Sequence, residues 1–423
     1  MAEAGPLLLA NIGQLLTMTG DGLGLVEDAW LSVEAGKVSG FGTRNSAERG
    51  HDPGSGGPEA GHVPILPPTS RAEVIDCRGG VVLPGFVDPH SHPVFGGWRH
   101  EEFELRLAGR SYREIAEAGG GILSSVRATR AASEDELVAS GRARLAEMLD
   151  WGTTTVEAKS GYGLDTATEL KMLRAIRRLA AEGPQAVVAT FLGAHSVPPE
   201  TTRERYVEVV VGEMLPAVAE SGLARYCDVF CENFVFPAAD SRRILEAAKR
   251  HGLEPRIHAD EIESSGGAEV AAEVGARAAS HLLKPSDRGL AMMAEAGVVA
   301  ELLPGTCFFL REATPAPVAR MRERGITLAL GTDLNPGSST LAGQPMTVVF
   351  ACLLYGLTVV EAVRGVTVGA ARSLGVEAGT IEPGRRADIV VTDLPDYRHL
   401  AYRVAHNPCR AVICGGRVVR ERD

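Results

Sequence analysis

Between about residues 83 and 375 the chain alternates short β-rich runs with stretches of helical periodicity. The runs are Val81–Pro89, Thr153–Lys159, Ala186–His195, Cys227–Glu232, Pro255–His258, Arg277–His281, Val298–Leu303 and Thr327–Asp333. Strands that alternate with helices imply a parallel sheet, because parallel neighbours need a long crossover between them. Eight such units over about 290 residues fit a closed barrel better than an open doubly wound sheet. Among the helical stretches, Ser133 followed by Glu136 reads as a capping box ahead of Leu137, Val138, Leu145, Met148 and Leu149.

The flanks read differently. Within residues 1–82, Leu7–Ala10, Ala29–Val33, Val38–Phe41 and Val74–Asp76 look like antiparallel strands separated by Gly and Asp turns. About residues 44 to 70 are rich in Gly, Pro, Ser and His, which suits an exposed loop with His51 and His62 solvated. Residues 376–423 return to strands, with a hairpin around Gly415-Gly416. The expected architecture is α/β: a (β/α)8 TIM-type barrel over 83–375, with a small β-sandwich domain formed by both chain ends, 1–82 and 376–423.

A net charge of −11 without a basic stripe argues against nucleic acid as a partner. It also means that an anionic substrate needs a specific arginine to overcome the field of the protein. The seven cysteines are odd in number and form no CxxC pair, which argues against a disulfide framework and against a thiolate zinc site. No apolar run reaches the roughly 18 residues of a membrane span, and the start lacks a basic region ahead of its apolar run. A cytoplasmic location is therefore expected.

The sharpest chemical signal is Pro84-Gly-Phe-Val-Asp-Pro-His90-Ser-His92. Residues two apart on a strand point to one face, so two imidazoles there can share an ion. The pair also closes a predicted strand, where barrel enzymes build their sites. His258 and Asp333 close two further strands. Alone, the first reads as an ordinary buried histidine and the second as a helix cap. Together with His90 and His92 they make a donor set of three nitrogens and one carboxylate, suited to one Zn2+ or Fe2+/Fe3+ ion per chain. Such an ion brings the pKa of a bound water to about 7. Glu261, three residues after His258, is the candidate base, and His281, ending the next strand, can polarise a carbonyl. Arg99, Tyr162 and His195 follow the first three strands and make a candidate anion pocket. The glycine run Ala118–Ile122 lacks a phosphate-loop pattern and suits a flexible loop over the site.

These stretches, together with KSGYGL, TFLGAHSVPPE, YCDVFCE, HADE and LGTDLNPGSS, resemble the imidazolonepropionase family of the amidohydrolase superfamily over nearly the whole chain and in order. The resemblance implies hydrolysis of 4-imidazolone-5-propanoate to N-formimidoyl-L-glutamate, in histidine degradation. It implies metal ligation by His90, His92, His258 and Asp333, substrate contacts at Arg99, Tyr162, His195, Glu261, Asn335, Gly337 and Ser338, and a homodimer. The chain departs from the family at Ser91, where Thr is usual, and at Ser280, where Asp is common, which bears on the orientation of His281. Trp98 fills a variable position and is expected to narrow the pocket mouth. The rival readings are a deaminase-type amidohydrolase acting on another heterocycle and a catalytically dead scaffold. A neutral base leaves the anion pocket without a task, and a dead scaffold should have lost ligands that this chain keeps.

Overall fold

The structure, a computed structural model, describes residues 5–43, 72–110, 114 and 120–422. His51 and His62, and with them Ala118 and Gly119 of the glycine run, lie outside the described residues. Two sheets organise the chain, and between them they take up both expected regions.

The first sheet is built from both chain ends. Its strands are β1 (Leu7–Leu16), β2 (Leu25–Glu34), β3 (Lys37–Thr43), β4 (Glu73–Asp76), β5 (Val81–Pro84) and, much later, β15 (Ile389–Thr392), β16 (Cys409–Cys414) and β17 (Arg417–Glu421). They lie in the order β17-β16-β15-β5-β1-β2-β3, with β4 also beside β1. Antiparallel pairing of Leu83 with Val390 ties the two ends of the chain together. Leu9, Ile12, Leu31 and Val33 from one end pack with Ile389, Val391 and Ile413 from the other in a core of their own. Not every neighbour is antiparallel, as the sequence pattern suggested: β4 and β5 run parallel to β1. The long connection from Thr43 to Glu73 gives the chain the length that a parallel crossover needs.

The second sheet is the barrel. Its strands are β6 (Phe86–Asp88), β7 (Thr153–Lys159), β8 (Ala186–Ala194), β9 (Tyr226–Cys231), the short pair β10 (Glu254–Pro255) and β11 (Ile257–Ala259), β12 (Ala278–His281), β13 (Val299–Leu302) and β14 (Leu328–Leu330). All pair in parallel from β6 round to β14. The expected strand Val81–Pro89 is thus two strands in two sheets. The break falls at Gly85, where a β-carbon would run into the side chain of Thr154, so the chain changes sheet at a residue that has none. Side chains stitch the seam between β14 and β6. Gln344 donates to the carbonyls of Val87 (3.0 Å) and Leu330 (3.2 Å), and Thr332 bonds the carboxylate of Asp88 through both its amide and its hydroxyl.

Helices cover the barrel. The helix Glu134–Asp150 opens with the expected capping box, and Leu137, Val138, Leu145, Met148 and Leu149 are all buried. No helix among the described residues is long and apolar enough to cross a membrane. Inside the barrel the packing is not purely aliphatic: Asp88, Glu157, Lys159, Asp228, Arg256 and Glu301 are fully buried. Charges persist in such a place only when paired: Lys159 lies between Glu157 and Asp228, and Arg256 faces Glu301, whereas Asp88 is held by Thr332 alone among the described side chains and burial pushes its carboxyl up to about 7.

Candidate active site

The C-terminal ends of the barrel strands bring the imidazoles together. The ring centroids of His90 and His258 lie 4.5 Å apart, those of His90 and His92 5.5 Å, and those of His258 and His281 5.4 Å. Oδ1 of Asp333 lies 3.4 Å from Nε2 of His90 and 3.5 Å from Nε2 of His92. Among the described residues two sets of potential ligand atoms come within 4.8 Å of one another, one from His90, His92 and Asp333, the other from His90, His258 and His281. His90 belongs to both. The four residues expected to hold an ion are therefore gathered, and His281 joins them within ligand reach.

The surroundings suit a cation. Among the described residues, Nε2 of His90 and Nε2 of His258 are buried without a hydrogen-bond partner. An orphaned buried nitrogen is costly unless something absent from the polypeptide satisfies it. Burial, and after it neighbouring positive groups such as Lys159, holds His90 well below the usual imidazole range, so it is neutral as a ligand must be. Burial does the same for His92 and His281. Asp333 is pushed up to about 6 by burial, against the bond it accepts from the hydroxyl of Thr306 at 2.6 Å.

Carboxylates anchor the far side of the histidines. Nδ1 of His258 donates to Asp228 at 3.0 Å, and Lys159 holds the other oxygen of Asp228 at 2.8 Å. Burial works to raise Asp228, but His258 and Lys159 outweigh it and keep the carboxyl well below its usual range. Ser91, between the paired histidines, is pinned to β7 through its hydroxyl, which donates to the carbonyl of Glu157 at 2.6 Å. Nδ1 of His90 meets the hydroxyl of Ser280 at 2.9 Å. Ser280, expected to bear on the orientation of His281, thus faces His90, and it is Glu261, 3.5 Å from Nδ1 of His281, that stands beside that ring.

A cavity of about 570 Å³ opens above the cluster. Among its lining residues are His92, His258, His281, Asp333, Glu261, Arg99, Tyr162, His195, Asn335, Gly337 and Ser338. Glu261 is pushed well above the ordinary carboxylate range by burial first, then by the negative charges of Asp333, Glu232 and Glu312. His195 stacks on His92 at 5.2 Å between centroids and donates from Nδ1 to the carbonyl of Gly161 at 3.0 Å. Asn335 shapes the wall by accepting from the amides of Gly337 and Ser338, both at 2.8 Å. Among the described residues Nε of Arg99 is buried without a hydrogen-bond partner, and the carboxylate of Glu102 pairs with it at a long 3.7 Å. Trp98, expected at the mouth, is not among the described residues that line the cavity, and its ring packs against Phe95 at 4.8 Å.

The profile of the Amidohydrolase family matches residues 81–419. The chain is 47% identical to an imidazolonepropionase of Symbiobacterium thermophilum, over 98% of this chain and 97% of that one. The chain belongs to the amidohydrolase family, among its imidazolonepropionases. An imidazolonepropionase of Myxococcus xanthus is 47% identical, over 97% of this chain and 96% of the relative, and one of Geobacillus kaustophilus is 43% identical over 98% of each. Solved structures share the fold. A triazine hydrolase variant superposes with a TM-score of 0.73 at 19% identity, over 99% of this chain and 95% of that one. An isopropylaminohydrolase of Burkholderia multivorans gives 0.68 at 19% identity, over 98% of each.

Sequence reasoning passed over several residues of this amidohydrolase. Arg106 lines the cavity and donates to the carbonyl of Gly337 at 3.1 Å, yet it reads as one more exposed helical arginine. Asp228, Arg256 and Glu301 sit inside runs that otherwise look like buried strands. A full charge in such a run was the available signal, since it must find a partner inside the barrel.

Proposed function

We propose that this chain opens the ring of 4-imidazolone-5-propanoate to give N-formimidoyl-L-glutamate. The observation that carries the reading is the pairing of two unsatisfied features in one cavity: orphaned imidazole nitrogens at its floor and an orphaned guanidinium nitrogen at its wall. The first calls for a cation and the second for a hydrogen-bond acceptor, which a carboxylate supplies best. A small molecule bearing both an amide carbonyl and a carboxylate answers both, and the names of the relatives support it.

In this reading His90, His92, His258 and Asp333 hold one ion. Three nitrogens and a carboxylate accept zinc or iron alike. When bound, the ion supplies Lewis acidity, lowering the pKa of water and polarising the amide carbonyl. Arg99, Tyr162 and His195 grip the propionate and set the ring over the cluster, with Asn335, Gly337 and Ser338 forming the facing wall. Glu261 takes a proton from the attacking water and returns it to the ring nitrogen that leaves. Its depressed acidity suits that exchange, because burial and neighbouring carboxylates favour its protonated form. His281 donates to the oxygen on which negative charge develops. The same reading carries a cytoplasmic homodimer, and the division 1–82, 83–375 and 376–423 into two ends of a small domain around a barrel.

The test is incubation of the purified protein with imidazolone propionate while the absorbance of the ring is followed, with and without a chelator. Loss of absorbance that the chelator abolishes and zinc or iron restores is the expected result. Ammonia release from another heterocycle, with the imidazolone untouched, would make the chain a deaminase.

A further inference from the structure

His90 alone belongs to both groups of potential ligand atoms, so the direction of its free lone pair decides whether the two groups can share an ion. A neutral imidazole carries one proton, on Nδ1 or Nε2, and the partner of Nδ1 selects which. That partner is the hydroxyl of Ser280, 2.9 Å away. A hydroxyl can accept or donate here, so it selects nothing unless its own proton is committed elsewhere.

The proton is committed. Oγ of Ser280 donates to Oε2 of Glu301 at 2.7 Å. The other oxygen of Glu301 is held by the guanidinium of Arg256 and by the hydroxyl of Ser373. Arg256 is permanently charged and fully buried, so Glu301 faces it as a carboxylate that only accepts. With its single proton turned to Glu301, the hydroxyl of Ser280 offers a lone pair to His90. Nδ1 must then be the protonated nitrogen and Nε2 the bare one. Glu301 does not do this directly, since its nearer oxygen stays 3.5 Å from Nδ1. Arg256 also donates to the carbonyl of Pro89 at 3.0 Å, and so holds the backbone immediately before His90.

We propose that Ser280, Glu301 and Arg256 are positioning residues that lock His90 with its proton on Nδ1 and its Nε2 lone pair aimed at the ion. This rests on the metal reading given above and deepens it. Partners behind a ligating histidine typically change metal affinity by about 10- to 100-fold.

The experiment measures zinc affinity by chelator competition, and thermal unfolding of the metal-free protein, in wild type, Ser280→Ala, Ser280→Thr and Ser280→Cys. Ser280→Ala is expected to weaken zinc binding about 10- to 100-fold while the metal-free melting curve stays near that of wild type. Ser280→Thr keeps the hydroxyl and is expected to restore the affinity. Ser280→Cys, close in size but a poor relay, substitutes for the alanine variant should that one fail to fold. Wild-type affinity in Ser280→Ala overturns the relay, as does a loss that Thr does not restore or that merely tracks a lowered melting curve in both the Ala and Cys variants. A wild-type protein that binds no zinc or iron overturns the metal reading itself and is told apart by that control.

Discussion

A β-carbon added to Gly337 would fall on the guanidinium of Arg99. The arginine occupies the space that a side chain at 337 would claim, and the carbonyl of the same glycine is held by Arg106. The absence of a side chain at one position therefore places the cation at another. Gly337→Ala is expected to displace Arg99 and raise KM for the imidazolone roughly 10- to 100-fold, since hydrogen bonds to charged groups are worth ~1.5–3 kcal/mol. Arg99→Ala should do the same, and metal content should be unchanged in both. Steady-state kinetics with metal analysis checks this; an unchanged KM in Arg99→Ala removes the carboxylate clamp.

Glu261→Gln keeps size and polarity but cannot take up a proton. Turnover is expected to fall by about 10²- to 10⁴-fold, the usual contribution of a positioned acid–base group, with the ion retained. Loss of the ion along with activity would make Glu261 a structural support instead.

The acidity of Glu261 is set by burial and by Asp333, Glu232 and Glu312 on one side, and by the opposing charge of Lys284 on the other. Lys284→Met removes the group that favours the carboxylate, so the pKa of Glu261 rises. If Glu261 must be ionised to accept a proton, the acid limb of the kcat/KM profile moves to higher pH. A profile that stays put, or moves the other way, separates Glu261 from that limb.

Away from the site, Glu361 closes a capping box with Thr358 and pairs with Arg322. The bond from Arg322 in particular holds its carboxyl down at about 2, from an ordinary 4.5. A depressed carboxyl stabilises the fold above its unfolded value and ceases to do so as pH falls through its folded value. Glu361→Gln should cost about 0.2–1 kcal/mol at pH 7, the range of exposed ion pairs. The gap to wild type should close as pH drops from 4.5 toward 2. Denaturant unfolding across that range measures it.

The strand ends at His90, His258 and Asp333 were legible because a barrel places its chemistry where strands finish, and a histidine or aspartate after an apolar run marks that edge. The eight barrel strands were legible for the same reason, as short apolar runs at regular intervals. What lay hidden was the layer beneath. Arg256 and Glu301 stand 45 residues apart and His258 and Asp228 stand 30 apart, and no local pattern joins them. Parallel pairing decides which charges meet inside the barrel, and that depends on the closed fold. The change of sheet at Gly85 was hidden too, because Val81–Pro89 is apolar enough to read as one strand.

The seam between the last and first barrel strands has a bearing on how the protein comes into being. Asp88 is clasped by Thr332, and the backbone amide of Asp333 bonds the carbonyl of His90 at 3.0 Å, across most of the chain's length. During synthesis the early histidines must wait, uncapped, until translation has passed residue 333. The start of the site is thus completed by its end: a chain that stops before residue 333 lacks both the clasp on Asp88 and the partner of the His90 carbonyl.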